Sequence, residues 1–238
     1  MSPRHLIVST HFDDAALSTS RLLQAAGAGA TVVTVCGRAP ADGTPAGAWD
    51  ARSGFATGDA AARARALEDV AACAVTGARH RHLAHCDSPY RDEPVDAGEL
   101  RAEIAGLLSA EDVLWLPIGI VNPDHVEARE ALLPLARSRP GRAGLYADLP
   151  YAAPGGFDLP PEVAAALPEL ACEDVEVTGT AFARKLAAVG CHASQIPLLV
   201  AEWPDLQAPA GPLRRERYWS AGGQVALAAS ATWPSGSA

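Results

Sequence analysis

No run of apolar residues in this chain approaches the roughly 20 needed to span a bilayer, so the sequence carries no membrane-crossing signal. Positive charge is also short: 19 Lys plus Arg stand against 28 Asp plus Glu, a formal charge of −9. A surface of that sign repels phosphate backbones and anionic headgroups, and no basic run interleaved with aromatics offsets it. The expectation is no nucleic acid and no membrane. Disulfide and zinc-ribbon signatures are missing too. The five cysteines (Cys36, Cys73, Cys86, Cys172, Cys191) are odd in number, scattered, and contain no CxxC pair. They read as reduced core thiols of a cytoplasmic protein. The opening MSPRHLIVST runs from a short apolar stretch straight into charge, which reads as a strand and not as a secretion signal. No internal repeat is present.

What is there is a packed α/β pattern. Of 238 residues, 49% are hydrophobic, enough to bury a sizeable core in one domain spanning 1–238. LIVST (6–10) and TVVTVC (31–36) are short, β-branched and bounded by breakers, as buried parallel strands are. Between them AALSTSRLLQAAGAG reads as a helix ending at Gly27 or Gly29. Residues 59–77 read as a helix with Gly77 at its C′ position. RHRHLAHC (79–86) reads as a strand, 96–110 as a helix, and DVLWLPIGI (112–120) as a strand with its exit. HVEAREALLPLARS reads as a helix, with Pro123 and Asp124 as its starting residues. GLYADLP (144–150) is a fifth strand, DVEVTG a late strand, and TAFARKLAAVGCHASQ a late helix. Two long irregular segments, 37–58 and 151–172, are long enough to be functional loops, and the last ~15 residues read as frayed. Strand–helix alternation from residue 6 to about 150 predicts a doubly wound, mostly parallel sheet with helices on both faces.

Such sheets bind ligands beyond the carboxyl ends of their strands. HFDD follows the first strand, and VNPDH follows the LWLP strand, so both emerge on one edge. Adjacent carboxylates repel each other and are tolerated where a cation needs them. Two imidazoles and a carboxylate suit zinc or a similar divalent metal, with a fourth position left for water. His11, Asp14 and His125 are the candidate ligands, and Asp13, beside them, is the candidate base for that water. The competing reading makes Asp13 and Asp14 first-turn acids of a helix and His11 its neighbour. A second histidine group, His80, His82, His85 and Cys86, has no carboxylate placed to complete a metal site, and reads as surface histidines near a strand end.

HFDDAALS resembles the H-P-D-D-E-x-L signature of the PIG-L/LmbE-like metal-dependent N-deacetylases. RALEDVAACAVTGA (65–78), WDARSGF (49–55), NPDH (122–125), YADLPYA (146–152) and KLAAVGCHASQ (185–195) are similar to later blocks of that family, in order. The resemblance implies a Rossmann-like three-layer α/β/α fold and removal of an acyl group, typically acetyl, from an amine by one zinc ion. It implies His11, Asp14 and His125 as ligands, Asp13 as general base, Asp124 as a carboxylate beside a ligand histidine, and His192 near the substrate. Three positions depart from the pattern: Phe12 replaces Pro, Ala15 replaces Glu, and Asn122 replaces the first His of H-x-D-H. Asn122 can donate a hydrogen bond to an oxyanion but cannot carry a proton.

Trp49, Arg52 and Phe55 in the first long loop are candidate substrate contacts. The expected partners are a small-molecule N-acyl substrate, such as an amino-sugar conjugate or natural-product intermediate, and at most further copies of this chain as a homo-oligomer. Two other outcomes fit the same residues: hydrolysis of a different amide or other bond, and a binding protein weakened in turnover. A phospho-acceptor receiver domain would leave His11 and His125 idle, and a dinucleotide-binding dehydrogenase needs glycines that STHFDDAA lacks.

Overall fold

The computed structural model describes residues 3–153 and 158–221. In chain order the first half contains β1 (His5–Ser9), α1 (Asp14–Ser18), α2 (Ser20–Ala26), β2 (Ala30–Thr34), α3 (Ala48–Arg52), α4 (Gly58–Thr76) and β3 (Arg79–His82). The second half contains α5 (Ala97–Leu107), β4 (Val113–Pro117), α6 (Pro123–Arg137), β5 (Ala143–Tyr146), α7 (Pro161–Ala166), β6 (Ala171–Glu176), α8 (Gly179–Gly190), α9 (Ile196–Glu202) and β7 (Arg215–Ser220). Seven strands form one sheet in the order β3-β2-β1-β4-β5-β7-β6. The first five are mutually parallel, and β7 pairs antiparallel with both β5 and β6. This is the mostly parallel α/β/α sheet that the strand–helix alternation predicts.

Side-chain alternation divides the core into two layers. Leu6, Val8, Leu114 and Leu116 face α5 and α6, packing with Leu100, Ile104 and Leu132. Ile7, Val32 and Trp115 face the other way, onto Ala15, Leu22, Leu23 and Cys73. A third cluster joins Leu17 of α1 to Phe182, Val189 and Leu199 of α8 and α9, which cover the same side of the sheet.

The helix expected over 15–29 is broken at Thr19 into α1 and α2. The Thr19 hydroxyl donates to the Ala15 carbonyl at 2.8 Å, a back-bond that bends helices. Gly77 does close α4: its φ is 80°, Gly77 N–H donates to Ala74 and Ala78 N–H to Cys73, the paired bonds of a Schellman motif. Four elements were not foreseen, among them α7 (Pro161–Ala166), which lies inside the 151–172 segment read as irregular. β7 (RERYWS) carries too many charges to read as a strand, and α3 and α9 are too short for a clear helical period. The frayed C-terminus expected from the sequence lies outside the described residues.

Candidate metal centre and cavity

The turn after β1 is held by Ser9, whose hydroxyl donates to the His11 carbonyl at 2.6 Å and accepts the Ala15 N–H at 3.1 Å. The same turn points the His11 N–H at Asp14 Oδ2, 2.7 Å away. Across the sheet edge, Asn122 caps α6: its Oδ1 accepts the Asp124 N–H at 2.9 Å. His125 follows in the first turn, fully buried. Gly119 makes this close return possible. Its φ is 67°, and a Cβ there would lie 2.6 Å from the His125 carbonyl oxygen.

These two turns bring the three expected ligands together. His11 Nδ1 lies 3.2 Å from His125 Nε2. Asp14 Oδ2 lies 3.3 Å from His125 Nε2 and 3.8 Å from His11 Nδ1. Donors bound tetrahedrally at the usual ~2.0–2.1 Å of zinc sit about 3.3–3.4 Å apart, so the triangle fits such an ion. The opposite ring nitrogens meet carboxylates, as metal-binding histidines require. His11 Nε2 lies 3.2 Å from Asp124 and 3.4 Å from Asp87, and His125 Nδ1 lies 3.5 Å from Asp148.

Charge in the centre is strongly interdependent. Burial opposes a charge on His11, but Asp87, Asp124 and Asp14 outweigh it and raise its pKa well above the ordinary value. His125 shifts the same way, burial being outweighed by Asp14 and Asp148. Burial raises the Asp14 carboxyl against the pull of both imidazoles. Burial would also raise Asp124, yet hydrogen bonds led by His11 hold it well below the carboxylate range. Asp124 is further braced by Arg91 and by the Ser88 N–H at 3.2 Å.

Asp13 borders the same cavity and makes no side-chain cap to α1. Its carboxylate is therefore not tied up by a cap hydrogen bond, while Asp14 does stand in the first turn of α1, where the helix-acid reading puts it. The cavity holds about 300 Å³, with His11, Asp13, Asp14 and Asn122 at one end and Trp49, Tyr90, Tyr151 and Trp203 among its walls. Trp49 is fixed by its indole N–H to Gln195 Oε1 at 2.9 Å. Arg52 and Phe55 do not line the cavity; Arg52 sits over the Trp49 ring and pairs with Glu202 at 2.8 Å. His192 is fully buried and does not line it either. The His80–Cys86 group forms no three-ligand cluster among the described residues: His82 pairs with Asp69 at 2.7 Å and His85 with Glu103 at 2.8 Å.

Two neighbours of the centre, Asp148 and Tyr151, escaped the sequence reading. Asp148 lies just after β5, on the same sheet edge as HFDD and NPDH, and topology alone could have flagged it. Asp50, in the first long loop, lines the cavity although little exposed, and binds both Arg65 and the Tyr90 hydroxyl. Tyr151 stands edge-on to His125, ring centroids 5.5 Å apart.

Residues 6–136 match the family model described as PIG-L, GlcNAc-PI de-N-acetylase. The chain belongs to the PIG-L family. Members of that family are hydrolytic N-deacetylases acting on amide bonds, and this chain is an enzyme of that kind. It is 30% identical to the A40926 pseudoaglycone deacetylase Dbv21, with a TM-score of 0.70, over 92% of this chain and 97% of that one. It is 27% identical to a zinc-inhibited form of the teicoplanin deacetylase Orf2, with a TM-score of 0.71, over 91% and 97%. An N,N'-diacetylchitobiose deacetylase from Pyrococcus horikoshii shares the fold at 16% identity and a TM-score of 0.57, over 88% and 77%. No curated protein sequence matches this chain.

Proposed function

We propose that this PIG-L protein is a divalent-metal-dependent N-deacetylase of a small N-acyl amine, with zinc as the metal. The observation that carries the reading is the donor triangle of His11, Asp14 and His125, its edges of 3.2 to 3.8 Å fitting one tetrahedral ion. A cation held there would polarise the amide carbonyl and acidify a water molecule.

The protein's own groups do the rest. Asp13 takes the proton from the attacking water, whose oxygen bonds to the amide carbon. As the carbon–nitrogen bond breaks, Asp13 returns that proton to the departing amine, leaving a carboxylic acid and an amine. Asn122 stands on the side where charge builds on the carbonyl oxygen; one hydrogen-bond donor to such an oxygen contributes about 2.7–4 kcal/mol to the transition state. Asp124 and Asp148 hold the two imidazoles in orientation.

The substrate reading follows from the cavity. About 300 Å³ is the low end of small-molecule sites and suits one monosaccharide with its acyl group. Trp49, Tyr90 and Trp203 offer flat faces for a sugar ring, and the deacetylases of A40926 and teicoplanin biosynthesis are close in fold and length. The proposed substrate is an N-acyl amino sugar, free or carried on a natural-product scaffold that remains outside the cavity.

The test is metal analysis of the wild type and Asp14→Ala, paired with amine release from a panel of N-acetyl and longer N-acyl glucosamines and their aryl glycosides. One zinc per chain in the wild type, lost in the variant, with amine release that a chelator abolishes, is expected. Equal metal in both proteins removes the ligand assignment. Bound zinc without amine release across the panel favours the alternative of a different bond or a binding role, which Asn122 motivates.

A further inference from the structure

Asn122 is held so that only one end of its amide can face the cavity. Its Oδ1 is occupied by the Asp124 N–H at 2.9 Å, which turns its Nδ2 toward the Tyr151 hydroxyl, 3.4 Å away. Nδ2 has protons only, so the phenol oxygen accepts. Among the described residues, the Tyr151 hydroxyl has no other hydrogen-bond partner, and its own proton is left for a ligand in the cavity it lines. The half-buried ring is packed between two others. It stands edge-on to His125 on one side and edge-on to Trp203 on the other, with centroids 5.5 and 5.8 Å apart at 85° and 89°.

We propose that Tyr151 is a further catalytic residue, its phenol O–H donating to the oxygen of the reacting carbonyl, with Asn122 orienting it. This rests on the deacetylase reading above. The chain Asp124 N–H to Asn122, Asn122 N–H to Tyr151, Tyr151 O–H to substrate runs in one direction, and bonds in such a series polarise one another. It accounts for an asparagine at position 122. An imidazole there would act on the substrate by itself; the amide passes its polarity to a neighbouring hydroxyl and needs to move no proton. Tyr151 lies beyond residue 136, where the match to the family model ends.

The experiment compares wild type, Tyr151→Phe, Asn122→Ala and the double variant as zinc-loaded full-length proteins. Three quantities are read: zinc content, kcat and KM on the best N-acyl glucosamine, and affinity for the corresponding methylphosphonamidate, a tetrahedral mimic. Tyr151→Phe is expected to keep its zinc and its KM, lose about 100-fold in kcat, and bind the mimic at least tenfold more weakly. The double variant is expected to fall little below Tyr151→Phe, since both changes cut one relay. A Tyr151→Phe enzyme within threefold of wild type in kcat and mimic affinity overturns the assignment, as do losses that multiply in the double variant. A wild type that turns over no N-acyl compound defeats the deacetylase reading itself, a different result.

Discussion

Asp148 Oδ2 lies 3.5 Å from His125 Nδ1 and at the same time accepts the N–H groups of Gly119 and Ile120 at 2.9 and 3.1 Å. One carboxylate oxygen, itself fully buried, therefore locks the loop after β4 to the end of β5 and steers the imidazole between them. Asp148→Asn keeps an acceptor for the two N–H groups but loses the charge facing His125. The expected result is a folded protein whose zinc affinity drops about 10- to 100-fold, measured by competition with a chromophoric chelator. Undiminished affinity would remove Asp148 from the centre.

Tyr90 lies across the start of α4, and a Cβ added at Gly58 would fall 2.4 Å from its ring. Its hydroxyl is tied to Asp50 and accepts the Gly47 N–H at 2.8 Å, so the ring cannot yield freely. Gly58→Ala is expected to cost about 1–3 kcal/mol by overpacking, read from urea unfolding, and to raise KM through the displaced cavity wall. In a Tyr90→Ala background the same change should be nearly neutral. An equal cost in both backgrounds would mean that the ring is not what the new methyl meets.

Val121 has a φ of 63° and sits between the Ile120 carbonyl and the Asn122 N–H, which are bonded at 2.7 Å. That is a γ-turn of the strained kind, and a β-branched residue pays steric energy there. Val121→Gly removes about 1–2 kcal/mol of strain and adds about 0.4–1 kcal/mol of unfolded-chain entropy. The net expectation is a small gain in stability, with a lower kcat as Asn122 loosens. A loss of stability in thermal unfolding would show that the valine side chain contributes more than its backbone costs.

Asp112 receives Arg4 through both oxygens, at 3.0 and 2.6 Å, and the Ser109 N–H at 2.8 Å. Burial alone would raise its pKa, but these bonds bring it down to about 2. Its folded value is below the unfolded one near 3.9, so its stabilisation is present above about pH 4 and is lost as pH falls from 4 to 2. Asp112→Asn should therefore cost about 1–2 kcal/mol at pH 7 and progressively less toward pH 2. A pH-independent difference between the two proteins would contradict the sign.

The parts of this molecule legible in its sequence are those governed by local rules. β1, β2 and β4 showed because buried parallel strands are continuous apolar runs. The end of α4 showed because only a glycine adopts φ of 80° there without strain. His11 and His125 could be paired because parallel strands send their exits to one edge. The break at Thr19 was hidden because it depends on a hydroxyl choosing the Ala15 carbonyl over solvent. β7 was hidden because Glu216, an acid in mid-strand, becomes acceptable only when Lys185 of α8 reaches it at 2.7 Å. Tyr151 was hidden for a similar reason: its role is set by Asn122 and Trp203, neither near it in sequence.

The walls of the cavity have a divided origin. Its acidic, imidazole-bearing end comes from residues 11–14 and 122–125, whereas Gln195, Leu199 and Trp203 enter from the chain's last third, beyond the stretch that matches the PIG-L model. The motif-bearing end and this part of the wall are thus written in separate segments. Exchanging the later segment among relatives is a route by which one hydrolytic engine acquires new clientele while its chemistry stays untouched.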